Sequence, residues 1–280
     1  MLSAESVDVA IGHSPANRCA LLTDINLTVK PGSVLAVVGP NGAGKTSLLR
    51  TLTGEMTPVK GQVLLQGRSL SSWPAEWRAQ QLGVLPQQSA LTFPFQVNEV
   101  VGLGRYPHNT GKRRDREIVA QALAAVDGSH LQSRAYTTLS GGEKQRVHLA
   151  RVLAQVWEKP AQGERYLLLD EPTSALDLAH QHLILETARY MARQGVGVLV
   201  ILHDLNLAAH YADWLVMIKG GRLVAAGDAH QVLTPEHIQS VFGIAVTVMP
   251  HPQTGRPLIV HQDRSPEEGP LLSTASNRAN

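Results

Sequence analysis

Hydrophobic residues in this chain fall into short uninterrupted runs, four of which have the length of a strand. They are Val34–Val38, a run that ends at Val84–Leu85, Arg165–Leu169 and Gly195–Leu202. A continuous apolar run is typical of a strand that is buried on both faces of a parallel sheet, because an exposed face would need polar residues at alternate positions. The pattern therefore predicts an α/β core around a parallel sheet.

Other segments follow a helical period of apolar and polar positions. Leu48, Leu49 and Leu52 predict a helix soon after the first run. Two further helices are predicted over Arg116–Val126 and Glu143–Trp157, in a stretch that has no strong strand pattern. This difference in pattern indicates a helical unit within the α/β protein.

The predicted elements divide the chain into a core, an inserted subdomain and a tail. We expect residues 89–159 to form the helical subdomain, and residues 1–88 and 160–262 to form the α/β core. Residues 214–226 predict a β-hairpin around a Gly-Gly turn. Residues 263–280 are rich in Ser, Pro, Glu and Asn, so we expect a disordered tail.

Composition and charge exclude several classes of protein. Of the 280 residues, 43% are hydrophobic and 17% are charged, as in ordinary globular proteins, and a net charge of +2 is too small to indicate nucleic-acid binding. The single cysteine, Cys19, excludes an internal disulfide and fits a reducing compartment. We find no signal peptide and no run of about 18 apolar residues that could span a membrane. Any membrane-spanning part would therefore belong to another chain.

Residues 39–46 read GPNGAGKT and fit the phosphate-binding pattern GxxxxGK[ST]. Glycines let backbone N–H groups approach phosphate oxygens, and the helix that follows directs its positive dipole end towards them. Lys45 would reach the β- and γ-phosphates, and Thr46 would offer its hydroxyl to Mg²⁺. The predicted nucleotide-binding residues are Gly39, Pro40, Asn41, Gly42, Ala43, Gly44, Lys45, Thr46 and Ser47.

An acidic pair, Asp170 and Glu171, follows the third apolar run. Asp170 would hold Mg²⁺ directly or through water, and Glu171 would polarise the water that attacks the γ-phosphorus, a contribution of about 10²–10⁴-fold. His203 follows the fourth run, and ligands of parallel sheets bind at the carboxyl ends of the strands. We therefore predict Glu171, His203 and Lys45 as catalytic residues.

A third motif, LSGGE at residues 139–143, lies between the phosphate-binding loop at residues 39–46, called the P-loop, and the acidic pair. In this order the three motifs resemble those of the ABC ATPases, whose signature is LSGGQ, and the resemblance extends to about Val260. It implies a P-loop NTPase (RecA-like) core, a small antiparallel β subdomain and an inserted helical subdomain that carries the signature. It also implies ATP and Mg²⁺ as cofactors.

The resemblance assigns roles to further residues. Gln87 matches the glutamine of the Q-loop, a Mg²⁺ contact that also senses the transport partner. Residues 174–177, which end at Asp177, match the D-loop, and His203 matches the switch histidine. The predicted metal ligands are Thr46, Gln87 and Asp170.

The signature also implies a second copy of the chain. Ser140, Gly141 and Gly142 are expected to begin a helix and to present N–H groups to an anion, which in the family is the γ-phosphate on the opposite subunit. Two chains would then hold ATP between them, head to tail, and hydrolysis would let the pair open.

Two positions depart from the family pattern. Glu143 replaces the usual glutamine of the signature, a variant that the family's importers tolerate. The aromatic residue that usually stacks on adenine has no counterpart in residues 6–17, where His13 is the nearest planar side chain.

The organisation of the chain narrows its class within the family. One ATPase unit, no membrane span and no room for a coiled coil leave the stand-alone ATPase subunit of a transporter, most simply a bacterial importer. Residues 93–101 and 104–108 resemble the importers of iron siderophores, haem and vitamin B12. Trp73 and the segments 154–157 and 250–252 are most similar to the hemin importers of that class.

This resemblance implies two transmembrane permease subunits, an indirect link to a periplasmic hemin-binding protein, and a peripheral location on the cytoplasmic face of the inner membrane. The same role in a ferric-siderophore or vitamin B12 importer is an alternative. A soluble ABC ATPase that acts on nucleic acid is a remote one, for which the only motive is an isoelectric point of about 8.8. Direct haem binding is not expected, because the 12 histidines are scattered along the chain.

Overall fold

The computed structural model describes residues 1–12, 19–87, 91–160, 162–174 and 176–261. The strands are β1 (Leu2–Ile11), β2 (Cys19–Val29), β3 (Val34–Val38), β4 (Lys60–Leu65), β5 (Arg68–Ser69), β6 (Leu82–Leu85), β7 (Tyr166–Asp170), β8 (Gly197–Ile201), β9 (Trp214–Lys219), β10 (Arg222–Gly227), β11 (Val246–Pro250) and β12 (Pro257–His261). The α-helices are α1 (Lys45–Thr53), α2 (Ala75–Gln81), α3 (Val97–Gly102), α4 (Lys112–Ala125), α5 (Gly141–Gln155), α6 (Leu178–Arg193), α7 (Leu205–Tyr211), α8 (Ala229–Val232) and α9 (Pro235–Phe242).

A six-stranded sheet with the order β10-β9-β3-β8-β7-β6 forms the centre of the fold. Its strands are parallel except β10, which returns antiparallel beside β9. Every residue of β3, β7 and β8 is buried, as their continuous apolar sequences predict. The predicted parallel sheet is therefore confirmed, and the hairpin predicted over residues 214–226 is β9 and β10.

A second sheet, with the order β2-β1-β4-β5, is antiparallel and packs beside the first one. Its buried side chains share a core with Leu48 and Leu52 of α1 and with Val37 of β3. Helix α1 therefore packs between the two sheets. Because only residues 39–44 connect β3 to α1, the helix begins near the carboxyl end of β3. This is the small antiparallel subdomain that the resemblance implies.

Helices α3, α4 and α5 pack against one another between the central strands β6 and β7 in the sequence. Ile118 of α4 and Leu149 of α5 belong to the same core cluster as residues of β3 and β7. The helical character expected after residue 89 is present, while the division at residues 89 and 159 stays a prediction. The tail expected over residues 263–280 lies outside the described residues. Within the described part of the chain, no helix combines the length and the apolar character that a membrane span requires.

Arg165 lies just before β7 rather than within the strand that its apolar neighbours predict. Its guanidinium donates to the carbonyls of Val156 at 3.0 Å, Trp157 at 2.6 Å and Gln194 at 2.7 Å. These carbonyls lie just beyond the ends of α5 and α6, where helices leave acceptors without an intrahelical donor. Arg165 therefore joins two helix ends to the start of β7, and its burial lowers its pKa.

We expect the substitution Arg165→Met to lower the free energy of unfolding by about 2–4 kcal/mol, because three carbonyls lose a charged donor in a buried place. Chemical denaturation of both proteins measures this difference. Arg113→Gln is the control, since the Arg113 side chain is 95% exposed and its loss should change stability by less than about 0.5 kcal/mol. Equal values for the two variants would show that the Arg165 contacts contribute little.

Candidate active site

A cavity of about 630 Å³ opens where β3, β7 and β8 end at their carboxyl sides. It is lined by residues 41–47 of the P-loop, by Gln87, by Glu171 and by His203. The structure therefore brings together predicted site residues from four separate segments of the chain. Gly39 and Pro40 are not among the lining residues, but their carbonyls accept hydrogen bonds from the Lys45 ammonium.

Helix α1 begins at Lys45, and its N-cap is Gly44. Gly44 has φ of 105°, and no side-chain cap covers the amide groups of the first turn. They are thus available for an anion in the cavity. The ammonium of Lys45 donates to the carbonyls of Gly39 at 2.8 Å and Pro40 at 3.0 Å. Burial lowers the pKa of Lys45, although the nearby carboxylates oppose this shift.

Asp170 at the end of β7 provides the test for a metal ion. Its carboxyl is buried, and burial raises its pKa, as the neighbouring Glu171 also does, while a hydrogen bond from Thr46 opposes the shift. Asp170 Oδ1 is buried and has no hydrogen-bond partner among the described residues. An unpartnered carboxylate oxygen beside a hydroxyl fits a divalent cation.

The described residues include no group of three or more His, Cys, Asp or Glu side chains that could hold a metal ion. Mg²⁺ keeps water and phosphate oxygens in its shell, so two oxygen ligands from the chain are enough to hold it. The structure thus supports Thr46 and Asp170 as candidate ligands.

Both oxygens of the Glu171 carboxylate are held by side chains from other segments. Gln87 Nε2 donates to Oε2 at 2.8 Å, and His203 Nε2 lies 2.5 Å from Oε1. The backbone of Glu171 has φ of 51°, a left-handed conformation that residues other than glycine adopt at a cost of about 1–3 kcal/mol. Backbone strain and side-chain contacts together direct this carboxylate into the cavity.

The signature does not line the cavity. Ser140 is the N-cap of α5, and the Glu143 amide donates to its hydroxyl at 3.3 Å. In return, the amide of Ser140 donates to Glu143 Oε2 at 2.8 Å, and Arg134 donates to Oε1 at 3.0 Å. The expectation that the Ser140 amide faces an anion is therefore wrong, because Glu143 already accepts from it. The same role for the amides of Gly141 and Gly142 stays a prediction.

The D-loop residue Asp177 also lies apart from the cavity lining. It is the N-cap of α6, and it accepts from the amide of His180 at 2.9 Å and contacts the imidazole Nδ1 of the same residue at 2.8 Å. Its role at an interface stays a prediction, and within one chain Asp177 shapes the start of α6.

Other cavity residues were missed from the sequence: Cys19, Ala20, Leu21, Gly220 and Gly221. The amide of Gly221 donates to Ala43 at 2.9 Å, which ties this turn to the P-loop. A Cβ at Gly221 would lie 2.4 Å from the Leu21 carbonyl oxygen, so the second glycine permits a close approach. The double glycine is the available signal, although its pattern alone predicts only a hairpin turn. His13, considered for adenine stacking, lies outside the described residues.

In a comparison with protein families, residues 22–174 match the model described as ABC transporter. The hemin import ATP-binding protein HmuV of Pseudomonas entomophila is 56% identical over 254 residues, which cover 91% of this chain and 99% of that protein. The protein of the same name from Pseudomonas aeruginosa is 53% identical over 260 residues, with coverage of 93% and 99%.

Solved structures show the same fold. A metal-chelate type ABC transporter in an inward-facing conformation is similar with a TM-score of 0.74 and 28% identity, and the match covers 94% of this chain and 97% of that one. A bacterial ABC transporter cassette solved as a dimer has a TM-score of 0.71 at 23% identity, with coverage of 81% and 98%. The second likeness concerns the fold alone.

We expect Glu171→Gln to retain ATP binding and to lose nearly all turnover, a fall of about 10²-fold or more, because an amide cannot take a proton from the attacking water. Lys45→Ala should instead weaken nucleotide binding. Phosphate release and equilibrium binding of ATP to the purified chains separate the two effects. Hydrolysis by Glu171→Gln near the wild-type rate would contradict the assignment of the general base.

We expect Asp170→Asn to raise the melting temperature of the nucleotide-free chain. A carboxyl with a raised folded-state pKa contributes stability at low pH that is lost as the pH rises through that pKa, so at neutral pH the ionised group is destabilising and an amide removes the penalty. The variant should also lose the added stabilisation of ATP with Mg²⁺ over ATP with EDTA.

Thermal unfolding at pH 7 with EDTA, with ATP and EDTA, and with ATP and Mg²⁺ measures both effects. Thr46→Ser, which keeps the hydroxyl, is the control. A lower melting temperature of Asp170→Asn in EDTA, or an unchanged Mg²⁺ increment, would refute the role given to this carboxylate.

Proposed function

Because the chain belongs to the ABC transporter family, we propose that it is the ATP-binding and ATP-hydrolysing subunit of a bacterial hemin importer. The observation that carries the ATPase proposal is the carboxylate of Glu171, held by Gln87 and His203 in the cavity that also contains Lys45 and Thr46. A positioned base, a phosphate-binding lysine and a metal-binding hydroxyl in one cavity are what phosphoryl transfer to water requires.

Binding of ATP rests on the P-loop and on the start of α1. The amides of the first turn of α1 would accept the phosphates, and Lys45 would exchange its contacts with the Gly39 and Pro40 carbonyls for phosphate oxygens. Thr46 and Asp170 would hold Mg²⁺, which supplies positive charge against the phosphate oxygens when bound. A bound cation would also oppose the raised pKa of Asp170, which burial causes first, because a cation favours the ionised carboxylate.

Hydrolysis rests on Glu171 and its two neighbours. The carboxylate takes a proton from the attacking water, while His203 orients one of its oxygens and Gln87 the other. Because Gln87 follows β6 and His203 follows β8, the base is held from both sides of β7. A shift of either side chain would turn the carboxylate away from the water.

A second copy of the chain would complete the site. Ser140, Gly141, Gly142 and Asp177 do not line the cavity of their own chain. Two chains in a head-to-tail arrangement would place the free amides of Gly141 and Gly142 against the γ-phosphate bound by the other copy. Closure would then depend on ATP, and hydrolysis would release it.

Exposed aromatic side chains, of which Phe93 and Phe95 lie with ring centroids 6.2 Å apart, are candidates for contact with the permease. Phe93 is 66% exposed, Phe95 is 42% exposed and Tyr106 is 82% exposed. Aromatic residues are enriched at protein interfaces, and large exposed ones are otherwise uncommon. Phe93 also follows Gln87 closely in the sequence, so a partner at this surface could influence the contact between Gln87 and Glu171. We propose that two permease subunits dock here, on the cytoplasmic face of the inner membrane, and that a periplasmic hemin-binding protein delivers cargo to them.

Hemin as cargo is supported by the relatives that match this chain over nearly their full length and carry hemin import in their names. These relatives are 53–56% identical to this chain, and the matches extend over 89–93% of its length. Import of a ferric siderophore or vitamin B12 would use the same ATPase chemistry, so the cargo needs its own test.

We expect the host that carries Glu171→Gln to lose growth on hemin as sole iron source and to retain growth on a ferric siderophore. Matched cultures of wild type and variant on each iron source measure this. An intact chromosomal copy restored to the variant is the control. Loss of growth on the siderophore alone would keep the importer ATPase and assign a different cargo.

A further inference from the structure

The last two described strands, β11 and β12, form a hairpin that pairs with neither of the other sheets. A two-stranded hairpin is marginally stable alone, so contacts with the rest of the protein must hold it. Val246 and Ile259 supply part of these contacts, since both are buried in the main core. The hairpin also touches α7, the short helix that follows His203.

Asn206, in the first turn of α7, binds the backbone of β12 through both ends of its amide. Its Oδ1 accepts from the Ile259 amide at 2.8 Å, and its Nδ2 donates to the Ile259 carbonyl at 3.2 Å. The side chain thus pairs with Ile259 as a neighbouring strand would. Loss of this amide would leave two backbone groups of β12 without partners.

Arg256, the residue before β12, binds the opposite end of the same helix. One terminal nitrogen of its guanidinium donates to the carbonyls of Ala209 at 2.8 Å, His210 at 2.7 Å and Ala212 at 3.0 Å. Carbonyls at the end of a helix lack intrahelical donors, and a positive charge there is favourable. The hairpin therefore holds α7 at both ends.

A cavity of about 270 Å³ separates part of the hairpin from α6 and α7. Asn206, His210, His251 and Arg256 are among its lining residues. Beside this cavity the two polar contacts add to the apolar contacts that Val246 and Ile259 make with the core.

His203 lies between a fixed strand and this helix. The amide of Leu202 donates to the Val37 carbonyl at 3.1 Å, which anchors the residue before it to the central sheet. Asp204, the residue after it, is the N-cap of α7 and accepts from the amides of Asn206 at 2.7 Å and Leu207 at 3.0 Å. The His203 side chain is 47% exposed, so core packing does not hold it in place. Its direction towards Glu171 therefore depends on where α7 begins.

We propose that Asn206 and Arg256 are positioning residues for ATP hydrolysis: they fasten the C-terminal hairpin to α7 and so keep His203 against Glu171. The inference rests on the proposed function, because it assigns its effect to the catalytic carboxylate. It predicts that loosening the hairpin slows hydrolysis and leaves nucleotide binding unchanged, since neither residue lines the P-loop cavity.

The test uses the purified full-length chain with Asn206→Ala, Arg256→Ala and Arg256→Lys. We expect kcat to fall about 5–50-fold in the two alanine variants, as a misplaced catalytic group does, with KM for ATP within about twofold of the wild type. Arg256→Lys should recover part of kcat, because an ammonium can still donate to the same carbonyls. Unchanged kcat in both alanine variants would overturn the proposal.

Arg165→Met is the control for stability, because it is expected to destabilise the fold at a place remote from α7. If it lowers kcat at 25 °C as much as Asn206→Ala does, the effect is one of stability and the proposal fails. Hydrogen–deuterium exchange of the peptide that spans residues 202–206 provides a second measurement. Faster exchange in Asn206→Ala supports the proposal, and unchanged exchange contradicts it.

A double-mutant cycle with His203→Ala distinguishes positioning from any independent role. In single-turnover measurements, Asn206→Ala should lower the residual rate of His203→Ala by less than twofold, about the limit of additivity errors. An equal fall in both backgrounds would refute the link to His203. If the wild-type chain neither binds nor hydrolyses ATP, the proposed function itself fails, whereas an inactive Glu171→Gln with a fully active Asn206→Ala removes the positioning role alone.

Discussion

The contact of Glu171 with His203 and Gln87 is the interaction on which the rest of this site depends. The left-handed backbone conformation of Glu171 is strained, and it persists because contacts on both sides of the residue fix it. The buried strand β7 fixes the residue before it, and the amide and hydroxyl of Ser174 both bind the Glu171 carbonyl, at 3.2 Å and 2.9 Å. The carboxylate then has two partners, Gln87 and His203, from the segments that follow the neighbouring strands β6 and β8, and these orient it.

The sheets explain how so few residues produce this arrangement. Three adjacent strands, β3, β8 and β7, end at the cavity and deliver the P-loop, His203 and the acidic pair. The start of β2 in the antiparallel sheet and the glycine turn at Gly221 also line the cavity. Burial of Asp170 and Lys45 at this site is not fully compensated. Asp170 has a buried oxygen with no hydrogen-bond partner among the described residues, and the charge of Lys45 is desolvated. Both groups would gain from a nucleotide and a cation, so the residues of this site fit these ligands.

The sequence was most informative where local pattern and chemistry coincide. Continuous apolar runs predicted β3, β7 and β8 because those strands are buried on both faces, and the P-loop could be placed because glycine, lysine and threonine have fixed spacing. Contacts between distant segments could not be predicted. Arg165 lies before the strand and binds carbonyls at the ends of two helices. The Ser140 amide donates to Glu143, and Asn206 binds Ile259, which is 53 residues away in the sequence. Of these, only the capping box has a local pattern in the sequence, S-x-x-E at residues 140–143.

The most direct test of the central claim is a structure of the Glu171→Gln chain with ATP and Mg²⁺. The account predicts two copies head to tail, with Lys45 and Thr46 of one copy and the amides of Gly141 and Gly142 of the other within hydrogen-bond distance of the same triphosphate. His203 should remain beside the residue at position 171. A nucleotide enclosed by one chain alone, with the signature facing solvent, would contradict the account.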